Sequence, residues 1–214
     1  MQKMLTTRKA ILIHNPNLKD RDSLNGTKAD MDAWEAYLKE PIGGFWSDSE
    51  IVRWDAKDKQ TLLKDIESLK NGDEKFTYVF FAFSGHGYRA GEDDYICTCD
   101  SLGDAVNVQE LKSCLMEIAE KGSIILDACR DEAFVYHNPY EYLYKGSVKE
   151  AYEYDAKKEE DRAIFHFDFF TYISEDGFVL VQSCQPGKTA SEGYIENPSE
   201  QFGNFSHLPL HLFI

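Results

Sequence analysis

Tyr78-Val79-Phe80-Phe81-Ala82-Phe83 runs straight into Ser84-Gly85-His86-Gly87. The first six residues are apolar without alternation, as expected of a central strand covered on both faces. The run stops at a turn of small residues that carries one imidazole. A second stretch repeats the plan. Ser123-Ile124-Ile125-Leu126 reads as another buried strand and leads into Asp127-Ala128-Cys129-Arg130.

Working outward, Lys9 to His14, Ile51 to Trp54 and Phe178 to Val181 read as further strands, and Tyr95 to Thr98 as a short one. Helical spacing separates them. From Thr27, apolar residues recur at Met31, Trp34, Tyr37 and Leu38, and Pro41-Ile42-Gly43-Gly44 ends that helix. Asp58 can cap a helix whose buried side is Leu62, Ile66 and Leu69, stopped by Asn71-Gly72. Asn107, with Glu110 three residues on, opens a third, with Val108, Leu111, Leu115 and Ile118 on one side. Strand and helix alternate, so the expected fold class is α/β with a mostly parallel sheet. Asp131 to Phe167 breaks the alternation, and a loop so long inside a compact domain is usually functional or disordered.

The 214 residues suit one domain carrying that insertion. Acids outnumber bases 38 to 23, for a formal charge of −15. Such a surface repels nucleic acid backbones and attracts basic peptides. The five cysteines are an odd number in a chain too large to need staples, so no disulfide framework is expected. Cys97-Thr98-Cys99 lacks the second pair that a metal knuckle requires. The apolar run Ala10 to Ile13 is too short for a signal peptide or a membrane span, so a reducing cytoplasm is the expected location. Gly187-Lys188-Thr189 lacks the earlier glycine of a phosphate-binding loop, because Gln182 stands there.

In open parallel sheets, active sites gather outside the carboxyl ends of the strands. If the two apolar strands are neighbours, His86 and Cys129 share one edge. A thiol and an imidazole together there make a nucleophile and a proton shuttle. The glycines let a substrate carbonyl approach, and the Gly87 and Cys129 amides are candidates for an oxyanion hole. Taken singly, each residue has a plain reading: a cysteine after a strand as core, Gly-His-Gly as a turn.

The ordered pair Phe83-Ser84-Gly85-His86-Gly87-Tyr88 and Ile125-Leu126-Asp127-Ala128-Cys129-Arg130 resembles the caspase-like cysteine peptidase superfamily. Asp127 before Ala-Cys is similar to paracaspases and metacaspases rather than to animal caspases, and the resemblance is closest to bacterial-type members. Leu24 to Asp30 resembles the segment after the family's first strand. Ser183 to Glu192 resembles the strand and loop that wall its substrate pocket.

The resemblance implies an α/β/α sandwich with Cys129 and His86 as a catalytic dyad. It also implies a cleavage-site pocket holding Asp30, Asp127 and Ser183. Two carboxylates there favour a cationic side chain, so cleavage after Arg, then Lys, is expected. As bland readings, Asp30 supports a helix start and Asp127 is a strand-end residue. The 131–167 insertion is the expected activation loop, with Lys145, Lys149, Lys157, Lys158 and Arg162 open to self-cleavage. A regulatory protein is a second expected source of control. No cofactor is expected beyond calcium activation through Glu92-Asp93-Asp94, which in isolation reads as a solvated turn.

Asn204-Phe205-Ser206 resembles the start of the family's last helix, and the apolar tail behind it reads as a C-terminus cut short. The expected state is a monomer. The competing expectation is a catalytically silent caspase-like scaffold. A third is a small-molecule-binding α/β domain in which the Cys and His are accidental.

Overall fold

The computed structural model describes residues 7–70, 74–130, 170–173, 177–188, 190, 193–194 and 201–202. The 131–167 insertion and the helix expected from Asn204 lie outside them.

Strand β1 (Arg8–Asn15) is followed by α1 (Thr27–Lys39), β2 (Ile51–Trp54) and α2 (Lys59–Ser68). The Asp58 side chain accepts from the Thr61 N–H and caps α2 as expected. Next come β3 (Tyr78–Gly85), β4 (Gly87–Ala90), β5 (Asp93–Ile96), β6 (Val106–Asn107) and α3 (Val108–Ile118). Asn107 caps α3 through the Gln109 and Glu110 N–H groups. Strands β7 (Gly122–Asp127), β8 (Phe170–Ile173), β9 (Phe178–Gln182), β10 (Gly193–Tyr194) and β11 (Gln201–Phe202) complete the order.

The main sheet runs β2-β1-β3-β7-β9-β8. Its first five strands are parallel, and β8 pairs antiparallel at the edge. Side chains alternate across it. Ile11, Ile13, Val79, Phe81, Phe83, Ile124 and Leu126 face α2 and α3, packing on Leu62, Ile66, Leu111, Leu115 and Ile118. Ala10, Leu12, Phe80, Ala82, Ile125 and Val181 face α1, packing on Met31, Trp34 and Leu38. Each fully buried large side chain contributes about 1.5–3 kcal/mol. Together these layers form the expected sandwich. No helix among the described residues is long and apolar enough to cross a membrane.

The strand expected over Tyr95 to Thr98 is shifted and belongs elsewhere. It spans Asp93–Ile96 within a separate antiparallel sheet, β4-β5-β6. The backbone beyond it is taken by other partners: the Cys97 carbonyl accepts from Asn15 Nδ2 at 2.8 Å, and the Thr98 carbonyl from the Lys57 N–H at 2.7 Å. This small sheet directly follows His86. It rests on a core of Leu18, Cys97 and Ala105, with Tyr88 and Tyr95 stacked at 4.9 Å.

Candidate active site

The register of the central strands decides where the chemistry gathers. Ser84 on β3 lies opposite Asp127 on β7. His86 and Cys129 each follow two residues past that rung, and both side chains are half-buried. The two turns touch. A Cβ built on Gly87 would stand 2.7 Å from the Cys129 carbonyl oxygen and 2.9 Å from the Ala128 Cβ. A glycine is required for backbones to approach so closely.

His86 is aimed by the backbone. Its Nε2 lies 3.1 Å from the Asp22 carbonyl oxygen. A carbonyl only accepts, so Nε2 carries the proton and Nδ1 is the basic nitrogen of the neutral ring. The loop that supplies Asp22 is pinned at both ends: the Leu24 N–H donates to the Pro16 carbonyl and the Lys19 N–H to the Asp100 carbonyl, each at 2.9 Å. Asn15, buried at the end of β1, steadies its root with Nδ2 bonds to the carbonyls of Asn17, Cys97 and Cys99.

Burial pushes the His86 imidazole below its ordinary 6.5, against the opposing pull of the Asp22 and Pro16 carbonyls. The ring is therefore neutral and proton-accepting at neutral pH. His14 is shifted down for the same leading reason. Below pH 6.5 the unfolded chain binds these protons before the folded one does, so stability falls as pH falls through that window. The urea midpoint is expected to be lower at pH 5.5 than at pH 7.5, and flatter across that range in His86→Gln. An unchanged profile in that variant would remove His86 as a source of the dependence.

The cysteines separate by surroundings. Burial pushes Cys97 and Cys184 up to about 12, and Cys114 to about 11, so these remain neutral thiols. Cys129 Sγ donates to the Ala190 carbonyl at 3.7 Å. Its neighbours are both tied to the segment after β9. The Ala128 carbonyl accepts from Cys184 Sγ at 3.4 Å, and the Arg130 N–H donates to the Lys188 carbonyl at 2.9 Å.

The oxyanion candidates lie at this contact. The His86 carbonyl accepts from the Cys97 N–H at 2.9 Å. The His86–Gly87 peptide is trans, so the Gly87 N–H points the opposite way, out of the β4–β5 ladder.

The expected pocket residues also converge. Ser84 and Asp127 share strand parity with the α1 face, and Asp30 lies on the buried stripe of α1. Ser84 Oγ donates to Asp30 Oδ2 at 2.6 Å. Asp30, Ser84 and Asp127 are 1%, 3% and 7% exposed. Gly26 is the N-cap of α1 and makes no side-chain cap bond; Asp30 lies in the first turn, where a carboxylate also suits the helix N-terminus, as the bland reading has it. Ser183 follows β9 with its N–H on the Leu126 carbonyl at 3.0 Å. Its Oγ is buried without a hydrogen-bond partner among the described residues.

The Glu92-Asp93-Asp94 turn divides. Glu92 and Asp93 are exposed, whereas Asp94 turns inward onto two guanidiniums. Among the described residues no group of three or more His, Cys, Asp or Glu side chains is placed to hold a metal ion. A backbone carbonyl behind His86 agrees with the dyad expected from the resemblance, but its identity as Asp22, and the Arg130 guanidinium on Asp94, lie beyond the sequence reading.

A family model described as the caspase domain matches residues 7–204. The chain belongs to the caspase family. As a caspase domain it is a cysteine peptidase by family. The crystal structure of protein GSU0716 from Geobacter sulfurreducens is similar to this caspase domain, with a TM-score of 0.56 at 14% identity, over 94% of this chain and 79% of that one. At that identity the likeness is one of fold. No curated protein matches this chain.

Proposed function

We propose that this caspase domain is an endopeptidase that cleaves after Arg, and less readily after Lys, through a Cys129–His86 dyad. One observation carries the reading: both residues follow the same rung of adjacent parallel strands, with Gly87 against the Cys129 backbone. The buried carboxylates of Asp30 and Asp127 on one sheet face support the basic preference. The Ser183 hydroxyl, without a partner among the described residues, supports a ligand beside them, because a buried hydroxyl is costly unless something completes it.

In this mechanism the basic side chain of the substrate enters between Asp30 and Asp127. His86 accepts the thiol proton at Nδ1 while Cys129 Sγ bonds to the scissile carbonyl carbon. The Gly87 and Cys129 N–H groups hold the oxyanion. As the C–N bond breaks, His86 returns that proton to the leaving amine, and a thioester remains. Water, deprotonated by His86, attacks the thioester. Collapse releases the carboxylate product and restores the thiol.

The Cys129 bond to Ala190 supports a latent form in which the segment after β9 withdraws before substrate binds. Cleavage within 131–167 or a regulatory protein would drive that withdrawal. The proposed enzyme is a cytoplasmic monomer acting on protein substrates, of paracaspase or metacaspase type, with a role in regulated cell death or defence.

The test is hydrolysis of matched fluorogenic peptides ending in Arg, Lys or Asp. Hydrolysis in the order Arg, Lys, with Asp inert, is expected. Preference for Asp would overturn the basic pocket. Silence on all three, with Cys129 unlabelled by an Arg-peptide electrophile, would leave the scaffold.

A further inference from the structure

Arg130 directly follows the nucleophile and is 4% exposed. Its guanidinium reaches two elements. One arm donates to the Cys184 carbonyl beyond β9 at 3.1 Å, and the other meets Asp94 Oδ2 on β5 at 2.6 Å. Its backbone is held too: the Arg130 carbonyl accepts from the Gly187 N–H at 2.9 Å.

Asp94 is itself prepared for that contact. In the hairpin register it lies opposite Arg89, which bonds Asp94 Oδ1 at 3.2 Å and the carbonyls of Gly91 and Glu92 at 3.0 Å each. Gln182 Nε2 donates to the same Oδ2 at 3.4 Å. The carboxylate thus faces β4, β9 and the nucleophile turn together.

The hairpin is the chain's direct continuation from His86, and Cys97 at its far end bonds back to the His86 carbonyl. The Arg130–Asp94 pair therefore ties the His86 segment to the Cys129 segment through charge, independently of the sheet between them. A buried ion pair is a poor device for stability alone, because both charges lose their hydration. Two charge-assisted bonds in a fixed fork do set distance and angle.

We propose that Asp94 is a positioning residue, which by clamping the Arg130 guanidinium sets the reach between Cys129 and His86. This rests on the dyad reading given above. Asp94 and Arg130 are assigned no bond-making part in the reaction. They act through the turn that carries the thiol.

The experiment measures alkylation of Cys129 by iodoacetamide against pH, with the modified peptide read by mass spectrometry, alongside kcat and KM. In Asp94→Asn, alkylation at pH 7 is expected to slow about tenfold, the penalty of a sub-ångström misplacement. Its pH profile is expected to differ from that of the wild-type protein. For kcat a similar factor is expected, with KM within about twofold. Arg130→Lys keeps the charge but spans only one of the two acceptors, so an intermediate slowing is expected, and it serves if Asp94→Asn does not fold. Glu50→Gln breaks the Arg8–Glu50 pair at the opposite edge of the sheet. It should lower the melting temperature and leave the alkylation profile alone. Wild-type profiles in both Asp94→Asn and Arg130→Lys would overturn the positioning role. His86→Ala separates the two readings: if it leaves Cys129 alkylation unchanged, the dyad itself fails and the positioning role falls with it.

Discussion

Cys129→Ala is expected to keep the fold and lose at least about 10⁴-fold in kcat on Arg peptides, the scale of removing a covalent nucleophile. The substitution removes one sulfur from a half-buried turn position. The ties that hold the turn run through Ala128 and the Arg130 backbone, and they survive it. A folded, inactive protein is the expected result, with an unchanged circular dichroism spectrum and a melting temperature within a few degrees. The other thiols cannot replace it. Burial raises Cys97, Cys184, Cys114 and Cys99 alike, which keeps them protonated. His86→Ala is expected to cost nearly as much, because without the imidazole the thiol has no base and the leaving amine no acid. The double variant should be hardly worse than either single one, since two groups that act as a unit lose their effect once. Additive losses would indicate that the two act in separate steps.

How much of this was legible in the sequence depends on the kind of contact. The central strands were, because Tyr78 to Phe83 and Ile124 to Leu126 are apolar on both faces, as a parallel strand covered on both sides requires. The caps at Asp58 and Asn107 were legible because capping is a local bond between a side chain and an N–H a few residues away. Asp30 was half legible. The resemblance pointed to it as a pocket residue, but not to its place on the buried stripe Thr27, Asp30, Met31, Trp34, Leu38 or to its bond with Ser84. Asp94 was not legible. Gly87-Tyr88-Arg89-Ala90 has no strong strand pattern, and three adjacent acids look like a solvated turn. Only the hairpin register, with Arg89 opposite Asp94, turns one of the three inward. The Asp22 carbonyl behind His86 carries no side-chain signature at all, because any residue has a carbonyl.

Asp127→Asn and Asp30→Asn are each expected to cut kcat/KM on Arg peptides by about 30-fold to several thousand-fold, the cost of about 2–5 kcal/mol for removing one member of a buried charge pair. Both substitutions keep shape. In Asp30→Asn the side-chain oxygen can still accept from Ser84 Oγ, so the contact between α1 and β3 persists and the fold should hold. The loss should fall on charged substrates alone. A guanidinium leaves water to enter this corner, and it is compensated only by carboxylates placed for it. A citrulline peptide has nearly the same shape without the charge, so its kcat/KM should change little in either variant. The Arg-to-citrulline ratio therefore collapses, which is the result that distinguishes lost recognition from a damaged catalytic turn. A parallel fall on both peptides would mean that the acids support the nucleophile turn instead. Unchanged Arg cleavage in both variants would remove Asp30 and Asp127 from the pocket. The double variant should lose more than the two single losses combined, because the second substitution removes the last charge that compensates the buried guanidinium.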